Sequence, residues 1–156
     1  MYPLAMRHVD VLLVEDNEAD VYLTKTAFRD ALVDTRIHAV SEGEEAIAFL
    51  KHEDHTRVPL PDLVLLDLGL PGLDGFQVLA EMKADPRLKK IPVIVVSGSD
   101  RAEDRSRAYE LQAATYLTKP SDVGKYFTTM RQLKERWVHA LSTAPKEPNL
   151  SACSGE

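Results

Sequence analysis

Three aliphatic runs in this chain each stop on a polar residue: Val11-Leu12-Leu13-Val14 before Glu15 and Asp16, Leu63-Val64-Leu65-Leu66 before Asp67, and Val93-Ile94-Val95-Val96 before Ser97. Uninterrupted runs of this length read as strands buried on both faces of a parallel sheet. In open α/β sheets ligands bind outside the carboxyl ends of the strands, so the polar stops are expected to converge. A fourth run, Thr115-Tyr116-Leu117-Thr118, ends on Lys119 and brings a cation to the same edge. Three carboxylates, a hydroxyl and a lysine at one sheet edge are the parts of a metal-assisted phosphate site.

The segments between these runs carry helical spacing. Leu23, Ala27, Phe28, Ala31 and Leu32 follow the first strand, and a short second strand covers Arg36 to Val40. Ser41 with Glu44 fits a capping box opening a helix with Ala46, Ile47, Phe49 and Leu50 on its apolar stripe. His52 to Pro61 reads as a loop. Asp74 with Gln77 is a second capping box, for a helix carrying Val78, Leu79 and Met82 that ends near Asp85-Pro86. A charged helix from about Arg101 to Leu111 and a long one from about Asp122 to Leu141 complete the alternation. Strand and helix alternating in this way predict an α/β fold, a doubly wound five-stranded parallel sheet with helices on both faces. Residues 1–8 read as an N-terminal extension, 9–142 as one domain, and 143–156, with Pro145, Pro148, Ser and Gly, as a disordered tail.

A chain of 156 residues suits one domain of ordinary size, and a formal net charge of −6 argues against nucleic-acid binding. No apolar stretch approaches the ~20 residues of a membrane span and the first residues lack a signal-peptide core, so a cytoplasmic protein without membrane contact is expected. The one cysteine, Cys153, falls in the tail and reads as a free thiol, and the five histidines, among them His38, His52 and His55, are scattered.

Carboxylates crowded at one edge repel, by about 4 kcal/mol for two unit charges ~4 Å apart at an effective dielectric of ~20. A divalent cation relieves that repulsion. Hard oxygen donors suit Mg²⁺ or Mn²⁺, and the sequence offers no His/Cys spacing for zinc. The cation draws in a phosphoryl group whose other oxygens Lys119 and the Ser97 hydroxyl can meet. Aspartate is a competent nucleophile toward phosphorus, and Asp67, at the end of the expected central strand, is the candidate acceptor.

Val11 to Asp16, the segment Asp67-Leu68-Gly69-Leu70-Pro71-Gly72-Leu73-Asp74-Gly75, Ser97 and Lys119-Pro120 together resemble the response-regulator receiver domain of two-component signalling, a flavodoxin-like fold. Within that family Glu15 to Asp20 and the closing Phe127 to Trp137 helix are most similar to single-domain regulators that partner phytochrome-type histidine kinases. The resemblance implies that Asp67 accepts a phosphoryl group from a kinase phosphohistidine. It implies further that Asp16, Asp67 and the backbone carbonyl of Gly69 bind Mg²⁺ directly, with Glu15 acting through water. Ser97 and Tyr116 would then turn toward the modified site and Lys119 would pair with the phosphoryl oxygens. With no output domain expected, the message would pass to an unidentified target protein or the domain would act as a phosphate sink. The family pattern also leads to the expectation of a cis Lys119-Pro120 bond. Gln112 stands where glycine often closes the fourth helix, and a positive φ there would cost on the order of 1 kcal/mol.

Competing functions fare less well. A flavodoxin-like electron carrier needs Gly, Ser and Thr donors after the first strand, where this chain has Glu15-Asp16-Asn17-Glu18-Ala19-Asp20. No Gly-x-Gly-x-x-Gly follows a strand, and the position of a second acid two residues past an aspartate nucleophile is Gly69. A receiver-like binding adaptor that is never phosphorylated is the remaining alternative, although every site residue is present. Finally, Tyr126, Met130 and Trp137 belong to an apolar arc on the last helix wider than one sheet face can cover, and a homodimer face there is expected.

Overall fold

The computed structural model describes residues 7–29, 32–52 and 59–143. Its elements alternate from β1 (Val9–Val14), α1 (Glu18–Ala27), β2 (Thr35–Val40) and α2 (Gly43–Leu50) to β3 (Leu63–Leu66) and α3 (Gly75–Ala84). They continue with β4 (Val93–Ser97), α4 (Ala102–Glu110), β5 (Thr115–Thr118) and α5 (Val123–Leu133). A π-helical turn (Lys134–Val138) follows, and α6 (His139–Thr143) closes the described chain. The five strands form one parallel sheet in the order β2-β1-β3-β4-β5. Of the tail expected at 143–156, Thr143 is helical and residues 144–156, with Cys153, lie outside the described residues, as do His55 and Ala31.

The continuous apolar runs are explained by two cores, one on each face. Leu12, Val14, Val64, Leu66, Val93, Val95 and Tyr116 point to the side covered by α2, α3 and α4, where Leu50, Leu79, Met82 and Ala108 meet them. Val11, Leu13, Leu63, Leu65, Ile94 and Val96 point to the other side, against Ala27 and Phe28 of α1 and Tyr126, Met130 and Leu133 of α5. Alternate side chains of a strand face opposite ways, so a strand buried on both sides has no polar position. At ~25 cal/mol per Å² of apolar surface, each such Leu or Val contributes about 1.5–3 kcal/mol.

Helix ends bear out part of the sequence reading. Asp74 accepts from the Gln77 N–H at 3.0 Å while Gln77 Oε1 accepts from the Asp74 N–H at 2.9 Å, a complete capping box, and Asp85 closes α3. The Ser41–Glu44 box is absent. Glu42 is the N-cap of α2 without a side-chain cap bond, Ser41 Oγ donates to Glu45 Oε1 at 3.0 Å, and Glu44 accepts from the Leu73 N–H at 2.5 Å. The loop entering α3 takes Glu44 because its own backbone donor would otherwise be unpaired. Gln112 takes φ 68°, as its place after α4 demands, and its neighbour's N–H, that of Ala113, donates to the Ala108 carbonyl at 3.0 Å.

The final helix differs most from expectation. It is α-helical to Leu133, π-helical to Val138, then α-helical to Thr143. The π turn changes the angular phase of the residues beyond it, so Val138 is buried with Tyr126, Met130 and Leu133 on one sheet face. Tyr126 and Met130, expected on a homodimer face, are 4% and 1% exposed and belong to the core of this chain. Trp137 retains some surface, lining a groove with Thr115, Leu117 and Arg136 beside β5.

Candidate functional site

The ladder hydrogen bonds run one residue past the strand ends and thereby position the site. The Glu15 N–H donates to Val40 O at 2.9 Å, the Asp67 N–H to Val14 O at 3.0 Å and the Lys119 N–H to Ser97 O at 2.7 Å. The carboxylates consequently emerge at the point between β1 and β3 where the chain's winding reverses, the usual crevice of such sheets. Ligand oxygens of Glu15, Asp16 and Asp67 lie within 4.8 Å of one another, with Glu15 buried and Asp16 exposed. An open cleft of about 520 Å³ adjoins them, lined in part by Glu18, Ser41, Glu42 and Glu45.

Lys119 reaches into this group. Its Nζ lies 2.5 Å from Glu15 Oε1, 3.0 Å from Asp20 Oδ2 and 3.3 Å from Asp67 Oδ2. It does so from a trans Lys119-Pro120 bond, since no peptide bond among the described residues is cis. The cis expectation is therefore corrected: the lysine's long flexible stem spans to the acidic group without it. Burial pushes the Glu15 carboxyl up to about 7 from an ordinary 4.5; the hydrogen bond from Lys119 opposes that rise and the Asp67 charge reinforces it. Burial also disfavours the Lys119 ammonium, but the hydrogen bond to Glu15, the charges of Asp67 and Glu15 and the hydrogen bond to Asp20 outweigh it, and the net direction is upward. The lysine stays charged.

Gly69 donates its N–H to Asp67 Oδ1 at 3.2 Å, and a Cβ at Gly69 would lie 4.0 Å from the same oxygen, leaving the approach to Asp67 uncrowded. Ser97 is buried at the end of β4, where its Oγ accepts from the Ser99 N–H at 3.1 Å. Tyr116 is 3% exposed and lies inward, its hydroxyl donating to Ser99 O at 2.7 Å. Ser99 in turn donates its Oγ to Asp104 of α4 at 2.6 Å. The structure thus brings Glu15, Asp16, Asp67 and Lys119 together, while Ser97 and Tyr116 meet each other's neighbourhood through Ser99.

Two participants escaped the sequence reading. Asp20 joins Lys119, and the available signal was its place in the first turn of α1, three residues after the Asn17 cap and next to the strand end that carries Glu15 and Asp16. Arg105 lies over the Tyr116 ring, 4.6 Å from its centroid, and donates to Thr118 Oγ1 at 3.2 Å. Nothing in a charged, exposed helix marked it out.

The donor set fits a hard divalent cation: three carboxylates, with neither His nor Cys among them. No helix among the described residues is long and apolar enough to cross a membrane.

Comparison with known proteins is consistent with this geometry. The family model of the response regulator receiver domain matches residues 11–131. Response regulator Rcp1 of Synechocystis sp. is 36% identical over 133 residues, covering 85% of this chain and 90% of Rcp1. The crystal structure of the phosphorylated cyanobacterial phytochrome response regulator RcpA superposes with a TM-score of 0.81 at 40% identity, covering 88% of this chain and 97% of that one. The Mn²⁺-bound form of Rcp1 superposes at 0.80 with 35% identity, covering 90% and 99%. Matched by that family model over most of its length and 36% identical to Rcp1, the chain belongs to the response regulator receiver domain family, the phosphoacceptor domains of two-component signalling.

Proposed function

We propose that this receiver takes a phosphoryl group from the phosphohistidine of a phytochrome-type histidine kinase onto Asp67 and signals through its surface. The observation that carries the reading is Lys119 Nζ beside Asp67 Oδ2 at 3.3 Å, with Glu15 and Asp16 completing an oxygen donor set around the same carboxylate. The similarity to RcpA, a phytochrome response regulator, supports the kinase class.

Asp16, Asp67 and the Gly69 carbonyl would hold Mg²⁺ or Mn²⁺, with Glu15 contributing through water. Bound there, the cation would neutralise carboxylate charge and polarise phosphoryl oxygens. An Asp67 oxygen attacks phosphorus, the phosphorus–nitrogen bond of the donor breaks, and its electron pair returns to the imidazole, which takes up a proton. Lys119 meets the charge on the transferring oxygens, and the small Gly69 leaves the in-line approach open. Ser97 can follow only by giving up the Ser99 N–H, which couples acceptor chemistry to the loop that also holds Tyr116.

Incubation with acetyl phosphate and Mg²⁺ tests the assignment. Wild type is expected to gain one phosphoryl group and folded Asp67→Asn none. Equal labelling of Asp67→Asn would overturn Asp67 as acceptor, and a wild type that takes up no label would return the chain to the adaptor reading.

A further inference from the structure

The ammonium of Lys119 has three protons, and three carboxylates receive it. Two of them, Glu15 and Asp67, belong to the candidate cation group and the third, Asp20, does not. A cation entering that group competes with the ammonium for Glu15 and Asp67 and repels it. Asp20 is the partner the lysine can keep. An acid in the first turn of a helix ordinarily serves the helix dipole. Here the side chain instead meets a residue 99 positions away, and both partners are largely shielded, with side chains 21% and 14% exposed. The Asn17 side chain fixes the turn by accepting from the Asp20 N–H at 3.0 Å, so the chain that places Asp16 in the cation group also places Asp20 on the lysine.

We propose that Asp20 is a positioning residue that takes Lys119 over from Glu15 and Asp67 when a divalent cation binds, keeping the lysine beside the acceptor without obstructing the cation. This rests on the site reading above. With Asp20 neutral, Lys119 falls back on Glu15 and Asp67, and the cation must break both pairs to enter. Asp20 therefore acts through Lys119, which distinguishes it from a carboxylate that merely adds negative potential.

Mn²⁺ titrations followed by electron paramagnetic resonance test this on wild type, Asp20→Asn, Lys119→Met, their double variant and Asp67→Asn. Asp20→Asn is expected to weaken Mn²⁺ binding about 10-fold when Lys119 is present, and about threefold or less in the Lys119→Met background. The Mg²⁺ concentration for half-maximal uptake from acetyl phosphate should rise by a similar factor. A role confined to the helix end would not depend on residue 119. Equal losses in both backgrounds, with Asp67→Asn deficient in Mn²⁺ binding, overturn the role of Asp20 and leave the site reading standing. Asp67→Asn binding Mn²⁺ as tightly as wild type overturns both.

Discussion

Glu15→Gln in the absence of divalent cations should make the protein more stable at pH 8 and leave it nearly unchanged at pH 4.5. Glu15 is 4% exposed and its carboxyl is pushed up from 4.5 to about 7, first by burial and then by the Asp67 charge, against the opposing Lys119 bond. A group whose folded pKa is raised binds its proton more tightly in the folded state. Its contribution to stability is fully present below the unfolded value of about 4.5 and lost as pH rises through about 7. At ~1.4 kcal/mol per pH unit the loss amounts to about 3 kcal/mol. Glutamine is close in shape to the protonated acid and cannot ionise, so the variant is spared that decline. Urea unfolding in EDTA, followed from pH 4.5 to 8.5, should show wild type falling relative to the variant by about that amount, equivalent to roughly 6–12 °C in Tm. Saturating Mg²⁺ at pH 8 should reverse the order, because ionised Glu15 then faces a cation. Parallel pH profiles in EDTA, or a wild type that gains stability relative to Glu15→Gln as pH rises, would refute the reasoning.

Gly75→Ala should destabilise by about 1–3 kcal/mol or more and impair phosphorylation together, because a Cβ there would meet the Asp67 carbonyl oxygen and come within 2.6 Å of Leu68 Cα, backbone that cannot yield without moving Asp67. Denaturation and acetyl phosphate uptake on the same preparation check both effects. Thr24→Val should cost about 1–3 kcal/mol in thermal or urea unfolding, since it removes the 3.1 Å partner of the buried Tyr126 hydroxyl, while Tyr126→Phe in the same background should recover most of that loss.

The sheet was legible because a strand buried on both faces has no freedom in composition. The three aliphatic runs show this directly, and their polar stops, with Lys119 after Thr115–Thr118, marked the edge where Glu15, Asp16, Asp67 and Lys119 meet. Asp74 and Gln77 were legible because a capping box is made within four residues. Ser41 and Glu44 have the same pattern and fail, because Glu44 is claimed by the Leu73 N–H from a loop 29 residues away, which no local pattern encodes. Asp20 was obscured for a similar reason. Its ordinary place in a first helical turn conceals a partner on β5's far end. At 3.6 residues per turn Trp137 would follow Tyr126, Met130 and Leu133 and widen the apolar arc; the π turn puts Val138 on that buried face instead, which no residue in the local pattern signals.

That π turn has an evolutionary reading. A π bulge is equivalent to one residue inserted into an α-helix, and one residue turns everything beyond it by about 100°. Residues after Val138 are therefore phased as though they followed a helix one residue shorter. The Arg7 N–H donates to Ser142 O at 3.2 Å, so the two ends of the described chain are clasped at this altered phase. Deleting a single codon between Lys134 and Val138 would therefore restore a continuous α-helix and leave Ser142 facing Arg7, whereas a regular α-helix of the present length would turn Ser142 away by about 100° and the chain would have to close its ends by some other contact.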